Sequence, residues 1–275
     1  MAAGNLSWGK ARQIRYHDGM RHTLLRAICL LVTLALLPRL AFLDTAPAAS
    51  QPASPAEPSK KVSAALSKHL AEVRFDGVAL ADDLDFVRDV SGLSIIVDWR
   101  ALEALGIKRD APITANLNNL EVRAVISTIL TKASTPARRA SFAGVVDAVV
   151  ISSPKGLQRI QHDTQAMLDL IAIQKGSPLA RELPQIKFDN VAFSDVMDFL
   201  SDVSGAKFNV DWDVLAKARI KKDTLTSLAA HDISFGQLLV SILDTSSDPT
   251  ADFQIGYDQK LNVITIAATR KPDKK

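Results

Sequence analysis

Phe75–Trp99 reads FDGVALADDLDFVRDVSGLSIIVDW, and Phe188–Trp212 reads FDNVAFSDVMDFLSDVSGAKFNVDW. Set together without a gap, at an offset of 113, the two stretches agree at 14 of 25 positions. Unrelated segments would agree at about one or two, so one unit occurs twice. Solenoid repeats run about 20–50 residues, and an offset of 113 is far longer. Each copy is therefore expected to be a small domain that closes its own apolar core.

The offset holds outside the identical stretch. Val122, Val125, Ile126, Ile129 and Leu130 form one apolar helix face, and Phe235, Leu238, Leu239, Ile242 and Leu243 form the same face in the second copy. The pattern is kept while the residues change, as core packing allows. In the first copy the pattern predicts a strand at Val73–Ala79 and a helix at Leu80–Val90, stopped by Ser91-Gly92. A strand at Ser94–Val97 follows, then a brief helix from Asp98-Trp99 through Leu105. Next come a half-buried strand at Ile113–Leu117, a helix from Glu121 to Thr131, and a closing hairpin of Ala140–Phe142 and Val145–Ile151 around Gly144. In the second copy Ser234 and Gln237 read as a capping box, and Phe253–Ile255 with Leu261–Ile266 as the hairpin. Leu157, Ile160, Met167, Leu168 and Ile171 make an amphipathic helix between the copies. The fold class expected is α+β: two tandem β-α-β-(α)-β-α-β-β domains at 73–153 and 186–268, joined by a connecting helix within 154–185.

The chain has 275 residues, 47% of them apolar and 23% charged, enough for real cores and against wholesale disorder. Its net charge of +3 sits in the leader. Residues 1–48 hold six Lys and Arg against Asp18 and Asp44, which leaves 27 basic and 28 acidic side chains for the rest. Ala27–Leu37 is an unbroken apolar run behind Arg21 and Arg26, with Ala46-Pro47-Ala48 as a small-x-small cleavage pattern. The run is shorter than the roughly 20 residues of a membrane span and fits a signal peptide, whose start could be Met20. An uncleaved membrane-tethering leader is the other reading. Cys29, the one cysteine, lies inside the run, so the mature chain has no disulfide framework. Residues 49–72 read as a Pro/Ala/Ser-rich linker and lead-in, and 269–275 as a basic tail.

These residues resemble the secretin/TonB short N-terminal domain family. The resemblance rests on Leu84 through Gly92, Ile95 to Asp98, Ile113 to Leu130 and Val149 to Ser152, and more loosely on 186–268. It implies a periplasmic module that binds envelope proteins of secretion, transport or signalling and performs no chemistry. No series of alternating strands for an outer-membrane pore follows the second copy, so the expected likeness is to the periplasmic domains alone.

Catalytic signatures are missing: no Gly-rich phosphate loop, no G-x-S-x-G, no H-E-x-x-H and no calcium-loop pattern. His69, His162 and His231 have no metal-ligand spacing. No enzyme activity, cofactor or metal is expected. Asp82, Asp85 and Asp89 share one helix face, and Asp195, Asp198 and Asp202 repeat it. Like charges at this spacing destabilise a helix by about 0.2–0.5 kcal/mol per pair, so the stripe reads as a solvated face or a partner site. Asp98-Trp99 and Asp211-Trp212 read as a helix cap with Trp over the core edge, or as Trp anchors for a partner. Lys217, Arg219, Lys221 and Lys222 make the one basic cluster of the body. The expected partners are envelope proteins or a second copy of the chain, with membrane contact only through an uncleaved leader. The alternative is a small α+β nucleic-acid-binding protein of the KH type. The near-neutral body and few aromatics speak against it.

Overall fold

A computed structural model describes residues 56–248 and 251–270. The leader, Cys29, nearly all of the Pro-rich stretch and residues 271–275 lie outside the described residues. All the described residues belong to one compact unit. It is a mixed α+β structure with eight α-helices and sheets of two or three strands among the described residues.

The first half runs α1 (Lys60–Leu66), β1 (His69–Ala79), α2 (Leu80–Ser91), β2 (Ser94–Val97), α3 (Trp99–Ala104), β3 (Pro112–Glu121), α4 (Val122–Ala133), β4 (Ser141–Val145) and β5 (Ala148–Ser152). After α5 (Pro154–Ile173) and a 3-10 turn at Pro178–Ala180, the second half runs β6 (Glu182–Ala192), α6 (Phe193–Ser204), β7 (Lys207–Val210), α7 (Trp212–Lys217), β8 (Leu225–Ser234), α8 (Phe235–Ser246), β9 (Ala251–Asp258) and β10 (Val263–Arg270). Pairing follows the same order in both halves. β1 and β6 pair antiparallel with β3 and β8, and the three-stranded sheets are β2-β5-β4 and β7-β10-β9.

Local chemistry recurs with the pairing. A bulge interrupts β1 at Gly77 and β6 at Asp189-Asn190, where Gly77 (φ 68°) and Asn190 (φ 52°) take the left-handed conformation. Their N–H groups donate to Thr114 Oγ1 and Ser227 Oγ, both at 3.0 Å. Gly92 and Gly205 (both φ 69°) end α2 and α6. Phe75 meets Phe86 edge-on with ring centres 5.8 Å apart, and Phe188 meets Phe199 likewise at 5.5 Å.

The halves differ in what covers their three-stranded sheets. β5 is buried along its whole length. Ile95, Val149 and Ile151 join the first core, while Ile96, Ala148 and Val150 join the second, on the opposite face of the same sheet. The first core is closed by residues of its own half. The second is not: it takes in Ile96, Val145, Ala148 and Val150, a departure from two self-contained domains. The positions that match Ile96, Ala148 and Val150 on the second sheet are the exposed Asn209 and the half-exposed Val263 and Thr265. α8 is buried nearly all round, because the first half and α5 cover the side that α4 exposes.

Three local expectations are corrected. The first hairpin turns at Val146-Asp147, not around Gly144, which lies inside β4. A Cβ at Gly144 would stand 2.6 Å from Pro58, so that glycine admits the passing chain. Val146 is held at φ 49° by the same chain: its N–H donates to Glu57 C=O (3.2 Å) and its C=O accepts from Ser59 N–H (2.7 Å). The capping box is half formed. Ser234 Oγ accepts from Gln237 N–H at 3.3 Å, but the Gln237 side chain reaches the first half instead. Its amide donates to Val145 C=O (2.5 Å) and its Oε1 accepts from Asp147 N–H (3.2 Å). Finally, 49–72 is not linker throughout: Ser59 caps α1, and α1 buries Val62 and Leu66 in the first core.

The sheet buried on both faces makes a direct test. Ile96→Ala is expected to lower unfolding free energy by about 2–5 kcal/mol in urea titrations, the range for a buried large-to-small change. Asn209→Ala, at the matching solvent-facing place, is expected to stay within about 0.5 kcal/mol of the parent.

Candidate functional site

The two Asp-Trp pairs are built alike. Asp98 Oδ1 accepts from Ala101 N–H (2.9 Å) to cap α3, and Asp211 Oδ1 accepts from Val214 N–H (3.0 Å) to cap α7. α2 has no side-chain cap. Its first N–H groups donate instead to carbonyls ahead of β3: Leu80 N to Ala111 O (2.9 Å) and Ala81 N to Arg109 O (3.0 Å). α6 does the same with Thr224 and Lys222. This pinning sets a cation over each Trp. Arg109 lies 5.1 Å from the Trp99 ring centre and Lys222 lies 5.3 Å from that of Trp212. Both Trp rings are half-buried, and Trp212 also meets Phe193 edge-on.

Asp82, Asp85, Asp89, Asp195, Asp198 and Asp202 are all exposed, on the outer faces of α2 and α6. On α2 the stripe is interrupted by Arg88, which donates to Asp85 Oδ1 (2.6 Å) and Asp89 Oδ1 (3.2 Å). On α6 the matching residue is Ser201, so that stripe has no such partner. Phe86 and Phe199 emerge between these aspartates, 43% and 38% exposed. No group of three or more His, Cys, Asp and Glu placed to hold a metal occurs among the described residues.

The structure brings Trp99 and Arg109 to a groove between the halves and leaves Trp212 outside it. One part of the groove encloses about 330 Å³ beside Trp99, Arg100, Arg109, Arg219 and Leu225; the adjoining part encloses about 200 Å³ between α2 and the β6-β8 ladder. Ser94 closes one side by donating to His231 C=O (2.6 Å) and accepting from His231 N–H (2.7 Å). Arg100 donates to Ser246 C=O (2.5 Å) at the C-terminal end of α8.

Behind the groove lies a buried polar seam that the sequence reading missed. Arg159 of α5 donates to the carbonyls of Asp244 (2.5 Å) and Asp248 (2.9 Å). Its Nε stands 3.0 Å from Asp244 Oδ1, an ion pair too poorly aligned for a hydrogen bond. Burial pushes the Asp244 carboxyl well above its ordinary range; Arg159 opposes this, and the neighbouring Asp163 adds to it. Ser152 donates to Asp98 Oδ2 (2.7 Å) on the same seam, and burial also raises Asp98.

Asp83 was missed as well. It is fully buried with neither carboxyl oxygen bonded, and burial, then Asp82 beside it, pushes its pKa to about 6. The signal was in the alignment: the matching residue is the core valine Val196.

Comparison with family models, with curated proteins and with solved structures found no match for this chain.

The Asp83 carboxyl holds its proton more tightly in the folded chain than at the ordinary value of 3.8. Its favourable linkage is therefore complete below that value and lost as pH rises through about 6. At pH 7 Asp83→Val is expected to be more stable than the parent by up to about 3 kcal/mol, and the difference should narrow toward pH 4. Urea unfolding at both pH values checks this; a difference independent of pH contradicts it.

Proposed function

We propose that the chain is an exported, non-enzymatic interaction module of a bacterial cell envelope, built from two tandem units similar to the secretin/TonB short N-terminal domain. The recurrence of one folding unit carries the reading. Both copies repeat the bulged strand pair, the edge-on Phe pair, the Asp helix cap and the Trp covered by a cation. The basic, apolar leader with its small-x-small site and the Pro/Ala-rich stretch support export. The groove between the halves offers aromatic, aliphatic and cationic groups of the kind that anchor protein partners. Its task is to hold envelope components together, in secretion, transport or signalling, rather than to transform a substrate.

Fractionation of producing cells with N-terminal sequencing tests this. The expected result is protein in the envelope or periplasmic fraction, starting near residues 46–50 if the leader is cleaved, with envelope proteins recovered alongside it. Cytosolic protein that retains residues 1–48 and recovers no envelope component would contradict the proposal.

A further inference from the structure

We infer that the groove between α4 and β4 of the first half docks an amphipathic helix of a partner protein, in the place that α5 fills in the second half. This rests on the reading of the chain as an interaction module and says what its partner presents.

The duplication supplies the comparison. In the second half α8 and β9 form a cleft lined by Val240, Leu243, Asp244, Phe253 and Ile255. α5 lies in it with Asp163, Ala166, Met167 and Leu170, at i, i+3, i+4 and i+7 of one helix face, and leaves about 60 Å³ open. At the offset of 113 that lining becomes Ser127, Leu130, Thr131, Ala140 and Phe142. All five line one groove of about 370 Å³ in the first half. The register agrees, since Phe142 pairs with Ile151 and Ile255 pairs with Ile266. Leu66 and Leu179, both buried, also match, so α1 stands where the chain leaving α5 stands. α5 itself corresponds to residues 41–60. That stretch carries Pro47, Pro52, Pro55 and Pro58, and proline inside a helix removes a hydrogen bond and clashes with the preceding turn. The first half has no α5 of its own to offer the groove.

The changes between the copies suit an occupant that comes and goes. Leu130 is buried and Phe142 half-buried, which keeps apolar contacts for a helix. Ser127 replaces Val240 and Ala140 replaces Phe253, so the walls are smaller and expose less apolar surface when the groove is empty. Interfaces of non-permanent complexes are about as polar as the rest of a protein surface, and this lining fits that type. Arg139 is the one charged side chain among those lining the groove, and Thr131 stands in place of Asp244. A helix with an acidic residue where α5 has Asp163 therefore loses a neighbouring carboxylate and gains a cation. The occupant is a helix with small and aliphatic residues along one face and an Asp or Glu at the edge of that face, docked in the helix-in-groove mode.

The probe is α5 itself as a free, fluorescein-labelled peptide of residues 160–173. A hydrocarbon staple between positions 161 and 165, on the opposite face, holds it helical, because so short a helix is marginal alone. Titrated with the full chain and read by anisotropy, it should bind at least about tenfold more tightly than the same peptide carrying Met167→Lys, a change that leaves the protein untouched. In the full chain, Ser127→Trp should cost about tenfold or more by filling the groove, and Arg139→Glu about threefold or more by removing the cation. Both positions are exposed, and thermal melting should show both variants folded. No saturable binding, equal affinity for the two peptides, or binding that ignores both groove variants would overturn the inference. A dimer in sedimentation that Ser127→Trp dissociates would give the groove to a second copy of the chain. Binding that appears only when residues 49–55 are deleted would give it to the chain's own Pro-rich stretch, and either result overturns the inference too. Binding in solution does not depend on compartment. A cytosolic chain that binds the peptide refutes export alone, and an exported chain that does not bind it refutes the groove alone.

Discussion

The packing of one sheet on both of its faces governs the rest of the molecule. Ile95, Val149 and Ile151 face the first core while Ile96, Ala148 and Val150 face the second, so β2-β5-β4 is a wall that both cores share. Burying a large aliphatic side chain contributes about 1.5–3 kcal/mol, and these residues act together in one layer. The wall sets the spacing of the two halves. That spacing places β8 against Ser94, α8 under Arg100 and Arg159, and Trp99 beside Arg219.

Polar groups finish what the apolar layer begins. Gln237 could have closed a capping box within its own helix. It bonds instead to Val145 and Asp147 at the tip of the other half's hairpin, satisfying two backbone groups there. Arg100 and Arg159 meet carbonyls at the end of α8, where cations are favoured by the helix dipole. The seam also holds Asp98, Asp163 and Asp244, and it is satisfied less completely. A buried acidic group kept under these conditions makes the junction sensitive to pH.

How much of this the sequence discloses depends on whether the determinant is local. Strands, helices and their order follow from periodicity and from Gly, Asn and Asp at the turns, which act within a few residues. The paired fold of Phe75 and Phe188 was legible for that reason. The junction was legible only by comparing the copies: Ile96 against Asn209 marks a place where the environments differ. Gly144 was misread because its constraint comes from Pro58, far away in sequence. The same holds for the groove, whose cations come from α2, α3, the loop before β3, β6 and the loop before β8. No spacing in the sequence brings Arg109 and Arg219 together. The aspartate stripes, by contrast, stood out in the sequence and lie on solvent-facing helix surfaces, with Asp85 at the groove between the halves.

The central claim is that the shared sheet makes the two halves one cooperative body. In a Trp8→Phe background, the chain carrying Trp212→Phe reports on Trp99 in the first half, and the chain carrying Trp99→Phe reports on Trp212 in the second. Urea unfolding followed by fluorescence in each should give one transition with a common midpoint once each substitution's own effect on stability, measured by circular dichroism, is removed. Two separated midpoints, with one tryptophan in its native environment while the other is already exposed to water, would show that the halves fold independently and contradict the account.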